Sequence, residues 1–201
     1  MKGVDFIAHY LIKHEAVSHV FTYAGGTSAW LLDAFDRADG ITFIAMKHEE
    51  NAAFAADGYA RASGRLGVAL TMSGPGATNL ITGIADAFFD SVPVLFLTGQ
   101  VTTSTYKFNR PVRQLGYQEA DIVSIARPIT KYASIASNEG EMVEMLKKSI
   151  SLSKSGRPGS VVLDIPSDVQ RREVDGKEMA AVPVIDSGPI ASDADVKAAL
   201  D

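Results

Sequence analysis

The sequence predicts an α/β domain of three layers: a mainly parallel sheet of about six strands with helices on both faces. Two observations carry this. Short apolar, β-rich runs at 19–23, 41–45, 67–72, 93–98, 131–135 and 160–165 alternate with helical patterns near 28–35, 49–63, 77–89, 119–125 and 138–155. Parallel strands need such crossovers, because the chain must return to the same end of the sheet before the next strand begins. In addition, Val68-Ala69-Leu70 and Val94-Leu95-Phe96-Leu97 are near-continuously apolar, as strands covered on both faces must be.

Taken in order, residues 1–16 place Val4, Ile7, Ala8, Leu11 and Ile12 at helical spacing, interrupted by Asp5, His9, Lys13 and Glu15. That is an amphipathic surface helix and lacks the unbroken apolar core of a signal peptide. The first strand ends in Ala24-Gly25-Gly26. The second leads into His48-Glu49-Glu50 and a helix rich in alanine (Ala52, Ala53, Ala55, Ala56, Ala60, Ala62). The third runs into Ser73-Gly74-Pro75-Gly76, and the fourth into Gly99-Gln100. Residues 99–116 follow as a long polar connection with no helical or strand period, and loops of that length in a compact domain are usually functional or mobile. Residues 1–170 are expected to form the domain and 171–190 a linker. Residues 191–201, where Ser192-Asp193-Ala194-Asp195 has the form of a capping box, are expected to begin a further, central domain.

Composition narrows the function. With 201 residues, 46% hydrophobic and 21% charged, the chain has the balance of an ordinary globular domain with a real core. A net charge of −5 and the lack of a Lys/Arg stripe give no support for nucleic acid or an anionic membrane as partner. No apolar run approaches the roughly 20 residues of a membrane-spanning helix, so the expected location is the cytoplasm. Without cysteine, disulfides and thiolate metal sites are excluded, and no metal site is expected in this chain.

In open parallel sheets, ligands bind outside the carboxyl ends of the strands. Three glycine clusters and one carboxylate are predicted there, and glycine lets backbone approach a ligand closely. Glu49 is the sharpest candidate: a carboxylate desolvated in a narrow cleft suits proton exchange near neutral pH. Taken alone, an acid that merely complements the helix dipole accounts for Glu49 more often. Ser73–Gly76 lacks the Gly-Lys-Ser/Thr ending of a P-loop and is not a Gly-x-Ser-x-Gly elbow, because Thr71 stands where the first glycine belongs. Taken alone, a tight strand-to-helix turn accounts for it better than an anion-binding loop does. His48-Glu49 is not His-Glu-x-x-His, since Ala52 occupies the second histidine position. Asn79 is either a ligand donor or a helix-start polar residue. Phe88, Phe89 and Val92 belong either to the core or to a subunit face, and the core is the expectation.

Read together, these segments resemble a known family. Tyr23-Ala24-Gly25-Gly26, His48-Glu49, 57–64 (DGYARASG), 73–79 (SGPGATN), 90–94 (DSVPV), 98–100 (TGQ), 117–119 (YQE) and 155–159 (SGRPG) stand in the order seen in the pyrimidine-binding domain of acetolactate synthase-like thiamine diphosphate enzymes. The resemblance spans residues 1–170. It implies that Glu49 hydrogen-bonds N1′ of the cofactor's aminopyrimidine and promotes the imino form that deprotonates C2 of the thiazolium, which then attacks a 2-oxo acid. It further implies that Ala24, Gly25, Pro75 and Asn79 line the pyrimidine pocket with Glu49, and that Gln118 sits near the reacting centre. Two departures stand out: Ala24 replaces the usual proline, and Glu50 replaces the glutamine that usually follows the catalytic glutamate.

The family's Gly-Asp-Gly…Asn segment, which binds Mg2+ and the diphosphate, has no counterpart here. The resemblance therefore implies a diphosphate-binding domain from a neighbouring subunit as partner, a homodimer or tetramer when complete, and no activity from these residues alone. Some relatives also bind FAD, and the long loop with Arg113, together with Lys131, leaves room for that cofactor. Three readings stay open: the first domain of a roughly three-domain enzyme, the pyrimidine-binding subunit of a two-chain 2-oxo acid decarboxylase, or a non-catalytic binding module on the same fold.

Overall fold

The computed structural model describes residues 1–180 and 197–199; most of the capping-box segment at 191–201 lies outside the described residues. The fold is a six-stranded sheet in the order β2-β1-β3-β4-β6-β5, parallel at every pairing. The strands are β1 (His19–Thr22), β2 (Thr42–Ala45), β3 (Gly67–Met72), β4 (Val94–Gln100), β5 (Tyr132–Ile135) and β6 (Val161–Pro166). The helices are α1 (Gly3–Glu15), α2 (Ala29–Arg37), α3 (Glu49–Ser63), α4 (Pro75–Thr78), α5 (Ile81–Phe89), α6 (Ile122–Ala126) and α7 (Glu139–Lys154).

Handedness sorts the helices between two layers. The crossovers β1→β2 and β5→β6 run one way across the sheet, and their helices α2 and α7 share a core cluster with α1. The crossovers β2→β3, β3→β4 and β4→β5 run the other way, and α3, α5 and α6 contribute to the opposite cluster. Right-handed crossovers demand this division. The first cluster holds the bulky Phe6, Tyr10, Phe35 and Leu146, whereas the second is built on Ala52, Ala53, Ala56 and Ala60. Small residues bring α3 close. A Cβ on Gly67 of β3 would lie 2.3 Å from the Ala56 carbonyl, and one on Gly83 of α5 would lie 2.4 Å from the Ala53 Cβ.

Several details depart from the sequence pattern. The helix expected over 77–89 is two: the Leu80 amide reaches back only to Ala77 O (3.1 Å), which tightens the chain between α4 and α5. The helix expected from 119 begins at 122, where Asp121 caps it by accepting from the Ser124 amide. The apolar run of β2 lies at the sheet edge and is exposed throughout. Val92 is buried as expected, but Phe88 is only half-buried and Phe89 is 62% exposed. Residues 172–174 lie against the N-terminus through Gly3 N–Arg172 O (2.8 Å) and Val174 N–Met1 O (2.9 Å).

Candidate functional site

The chain steps outward from β1 to β2 and then back across to β3, so the connections leaving β1 and β3 diverge and open a crevice at their carboxyl ends. Ligands of open α/β sheets bind at such a switch point. The segments flanking it are Tyr23–Gly26 after β1 and Ser73–Gly76 after β3, with Glu49 arriving from the edge strand side.

Thr27 ties these strand ends together. Its hydroxyl donates to Gly99 O (2.8 Å) and accepts from the Ser73 amide (3.0 Å), while its own carbonyl accepts from Gln170 Nε2 (2.9 Å). A Cβ on Gly99 would fall 2.2 Å from the Thr27 carbonyl, so the close approach requires glycine there. One residue thus links the ends of β1, β3 and β4 and the turn after β6.

Glu49 opens α3, is 6% exposed, and accepts from Asn79 Nδ2 at 2.9 Å through Oε2. No other hydrogen bond to its carboxylate forms among the described residues. The helix start favours a negative charge, and His48 supplies the cap by accepting the Glu50 amide (3.2 Å). Glu50 itself is half-buried. Gly76 lies against Glu49: a Cβ there would stand 3.2 Å from Oε1 and 2.7 Å from the Met72 side chain. Met72 also meets Gly25, where a Cβ would come within 2.3 Å of its sulfur.

Of the residues singled out by sequence, Gly25, Glu49 and Asn79 are brought together around Met72 and Gly76. Ala24 and Pro75 are exposed at the rim, each next to one of these glycines. Gln118 arrives through its backbone: its carbonyl accepts from Ser73 Oγ (3.1 Å) and would touch a Cβ on Gly74 at 2.3 Å. Gly74 has φ +64°, a second reason for glycine at that position. Gln118 has φ 56° and is half-buried, while its neighbour Tyr117 is 84% exposed.

The long connection after β4 is fastened by carboxylates. Asp168 accepts from the Thr103 amide (2.8 Å) and hydroxyl (2.7 Å). Glu119 accepts from the amides of Lys107 (2.8 Å), Leu115 (2.8 Å) and Gly116 (3.0 Å). Burial alone would push the Glu119 carboxyl up, but these amides and the Lys107 charge outweigh it and hold it below the usual glutamate range. Deeper in, Asp164 of β6 accepts from Thr98 Oγ1 (2.6 Å) and Gln100 Nε2 (2.8 Å). Burial pushes the Asp164 carboxyl up to about 7, with Asp121 adding to the rise against those two hydrogen bonds. Lys131 lies before β5, at the amino ends of the strands, and its amine donates to Ser155 O; it is therefore remote from Arg113 in the connection after β4. Sequence reasoning missed Thr27, Met72 and Asp164. Only Asp164 left a trace, as an acid inside an apolar strand.

Among the described residues no group of three His, Cys, Asp or Glu side chains could hold a metal ion, and no helix is long and apolar enough to cross a membrane.

The result is a parallel α/β domain with a buried carboxylate, paired with an amide, at its switch point, the place where domains of this class bind small ligands. The chain belongs to the family of thiamine pyrophosphate enzymes, N-terminal TPP binding domain, whose model matches residues 1–125. It is 41% identical over 169 residues to the acetolactate synthase isozyme 3 large subunit of Escherichia coli, covering 84% of this chain and 28% of that protein. It is 42% identical over 189 residues to acetolactate synthase 1, chloroplastic, of rice (Oryza sativa subsp. japonica), covering 92% of this chain and 27% of that protein. The chain thus spans less than a third of the length of these relatives.

Proposed function

We propose that residues 1–170 supply the pyrimidine half of a thiamine diphosphate site in an acetolactate synthase-like enzyme. Such an enzyme releases CO2 from pyruvate and joins the remaining two-carbon unit to a second 2-oxo acid. The observation that carries this reading is Glu49: a buried carboxylate with one oxygen held by Asn79 and the other beside Gly76, where the absence of a side chain lets Glu49 and Met72 lie close to the backbone. That arrangement fits the polar edge of an aminopyrimidine, which needs a carboxyl partner at a ring nitrogen.

When bound, thiamine diphosphate supplies the electron sink for decarboxylation. The chain's own residues do the rest. Glu49 Oε1 holds and returns a proton at the pyrimidine ring. Asn79 fixes the carboxylate plane, so that proton exchange meets no reorganisation cost. Gly25, packed against Met72, lines the pyrimidine pocket with Ala24, Pro75 and Asn79, and Gln118 sits near the reacting centre, where the 2-oxo acid is bound. The diphosphate and its Mg2+ belong to another domain, from the neighbouring subunit of a cytoplasmic homodimer or tetramer.

The test is an assay of the full-length protein with pyruvate, in the presence and absence of thiamine diphosphate and Mg2+. Acetolactate formation that requires both is expected. CO2 release without acetolactate would redirect the reading to a simple decarboxylase, and failure both to bind thiamine diphosphate and to consume any 2-oxo acid would overturn it.

A further inference from the structure

Gln118 holds a backbone conformation (φ 56°) that a non-glycine residue keeps only when its surroundings impose it. Three attachments impose it here. Ser73 Oγ grips its carbonyl, the following Glu119 gathers three loop amides, and the Ala120 carbonyl accepts from Gln100 Nε2 at 3.0 Å. Gln100 is fully buried, and both ends of its side-chain amide are engaged. Its Oε1 accepts the Val101 amide (2.9 Å), and Nε2 also donates to Asp164 Oδ2 (2.8 Å).

Asp164 stands in register with Thr98 between two strands whose neighbouring positions are Leu97, Phe96, Leu163 and Val162. A fully buried carboxyl in that apolar setting costs stability that a leucine or valine would not. Its hydrogen bonds do not reach the ligand crevice. They orient Gln100, and Gln100 reaches the turn carrying Gln118. We propose that Asp164 and Gln100 are positioning residues that set the Gln118 turn and thereby the recognition of the 2-oxo acid. The functional half of this inference rests on the reading of Gln118 given above; the structural half does not.

The experiment uses the full-length protein with Gln100→Leu, Asp164→Leu and Asp164→Asn. Amide hydrogen exchange is measured without cofactor, and kinetics with pyruvate, thiamine diphosphate and Mg2+. Gln100→Leu and Asp164→Leu should speed exchange across 116–121 about tenfold, a loss of about 1.4 kcal/mol, while 49–63 exchange as before. The KM for pyruvate should rise about tenfold with thiamine diphosphate affinity unchanged. Asp164→Asn should restore both, because its amide can accept from Gln100 and donate to the Thr98 hydroxyl. Gln100→Asn, too short to reach both partners, asks the same question if Gln100→Leu does not fold. Unchanged exchange at 116–121, or faster exchange spread evenly over the domain, would overturn the inference. A loosened turn with unchanged pyruvate kinetics would instead overturn the assignment of Gln118, and the functional half with it.

Discussion

Asn79 Nδ2 lies 2.9 Å from Glu49 Oε2, and the two residues reach each other from different strand-to-helix connections. Glu49 is set by the start of α3 and Asn79 by the break between α4 and α5. The carboxylate is therefore oriented by the meeting of two crossovers rather than by its own helix.

Asn79→Ala should lower turnover of the complete enzyme by roughly 10- to 100-fold, the range expected when a hydrogen bond to a charged group is lost. Asn79→Asp should lower it further, because two carboxylates would then share one site. Steady-state kinetics at saturating thiamine diphosphate make the comparison. Equal activity in wild type and Asn79→Ala would remove the orienting role.

Gly25→Ala and Gly74→Ala should behave differently although both are tight. The nearest atoms to a Cβ on Gly25 are the Met72 sulfur (2.3 Å), Cγ (2.6 Å) and Cβ (2.6 Å), so Met72→Ala, which removes the first two and keeps the third, should restore cofactor binding only in part in the double variant. The Gly74 clash is with the Gln118 backbone at a left-handed φ, so Gly74→Ala should cost about 2–3 kcal/mol with no single-site rescue. Urea midpoints together with thiamine diphosphate titrations separate the two cases.

Glu119 and Asp164 should respond to pH with opposite signs. The Glu119 pKa is lowered in the fold, so its stabilisation is present above the unfolded value near 4.5 and is lost as pH falls through the folded pKa. The Asp164 pKa is raised from 3.8 to about 7, so its contribution is present below 3.8 and is lost as pH rises through about 7. Thermal unfolding from pH 3 to 8 should therefore show less acid sensitivity in Glu119→Gln. The decline between pH 4 and 7 should flatten in Asp164→Asn. A wild-type profile unchanged by either substitution would contradict these assignments.

Arg61 of α3 bridges the buried Asp57 (2.6 Å) and Asp90 at the end of α5 (2.8 Å). Arg61→Ala should cost about 1 kcal/mol, since the guanidinium is partly exposed and screened, and the loss should shrink in high salt. Denaturant unfolding at two ionic strengths checks this.

Much of the fold was legible because buried parallel strands write themselves as unbroken apolar runs, as in Val94-Leu95-Phe96-Leu97. The break at Asn79-Leu80 was not legible, because Ala77, Leu80, Ile81 and Ile84 keep helical spacing straight across it. The exposure of Phe43 and Ile44 was also hidden: an apolar run does not reveal that its strand lies at a sheet edge. At the site, Glu49 and the glycine turns could be read from their places after strands. Thr27 could not, because its partners Gly99, Ser73 and Gln170 lie 46 to 143 residues away and a threonine after two glycines carries no signal of them.

The most direct test of the account is exchange of the C2 proton of thiamine diphosphate bound to the full-length protein, followed by NMR in wild type and Glu49→Gln. Glu49→Gln should bind the cofactor and slow that exchange by at least about 100-fold, the lower end of what a positioned acid–base group contributes. Exchange at the wild-type rate in Glu49→Gln would contradict the central claim that this carboxylate moves the proton.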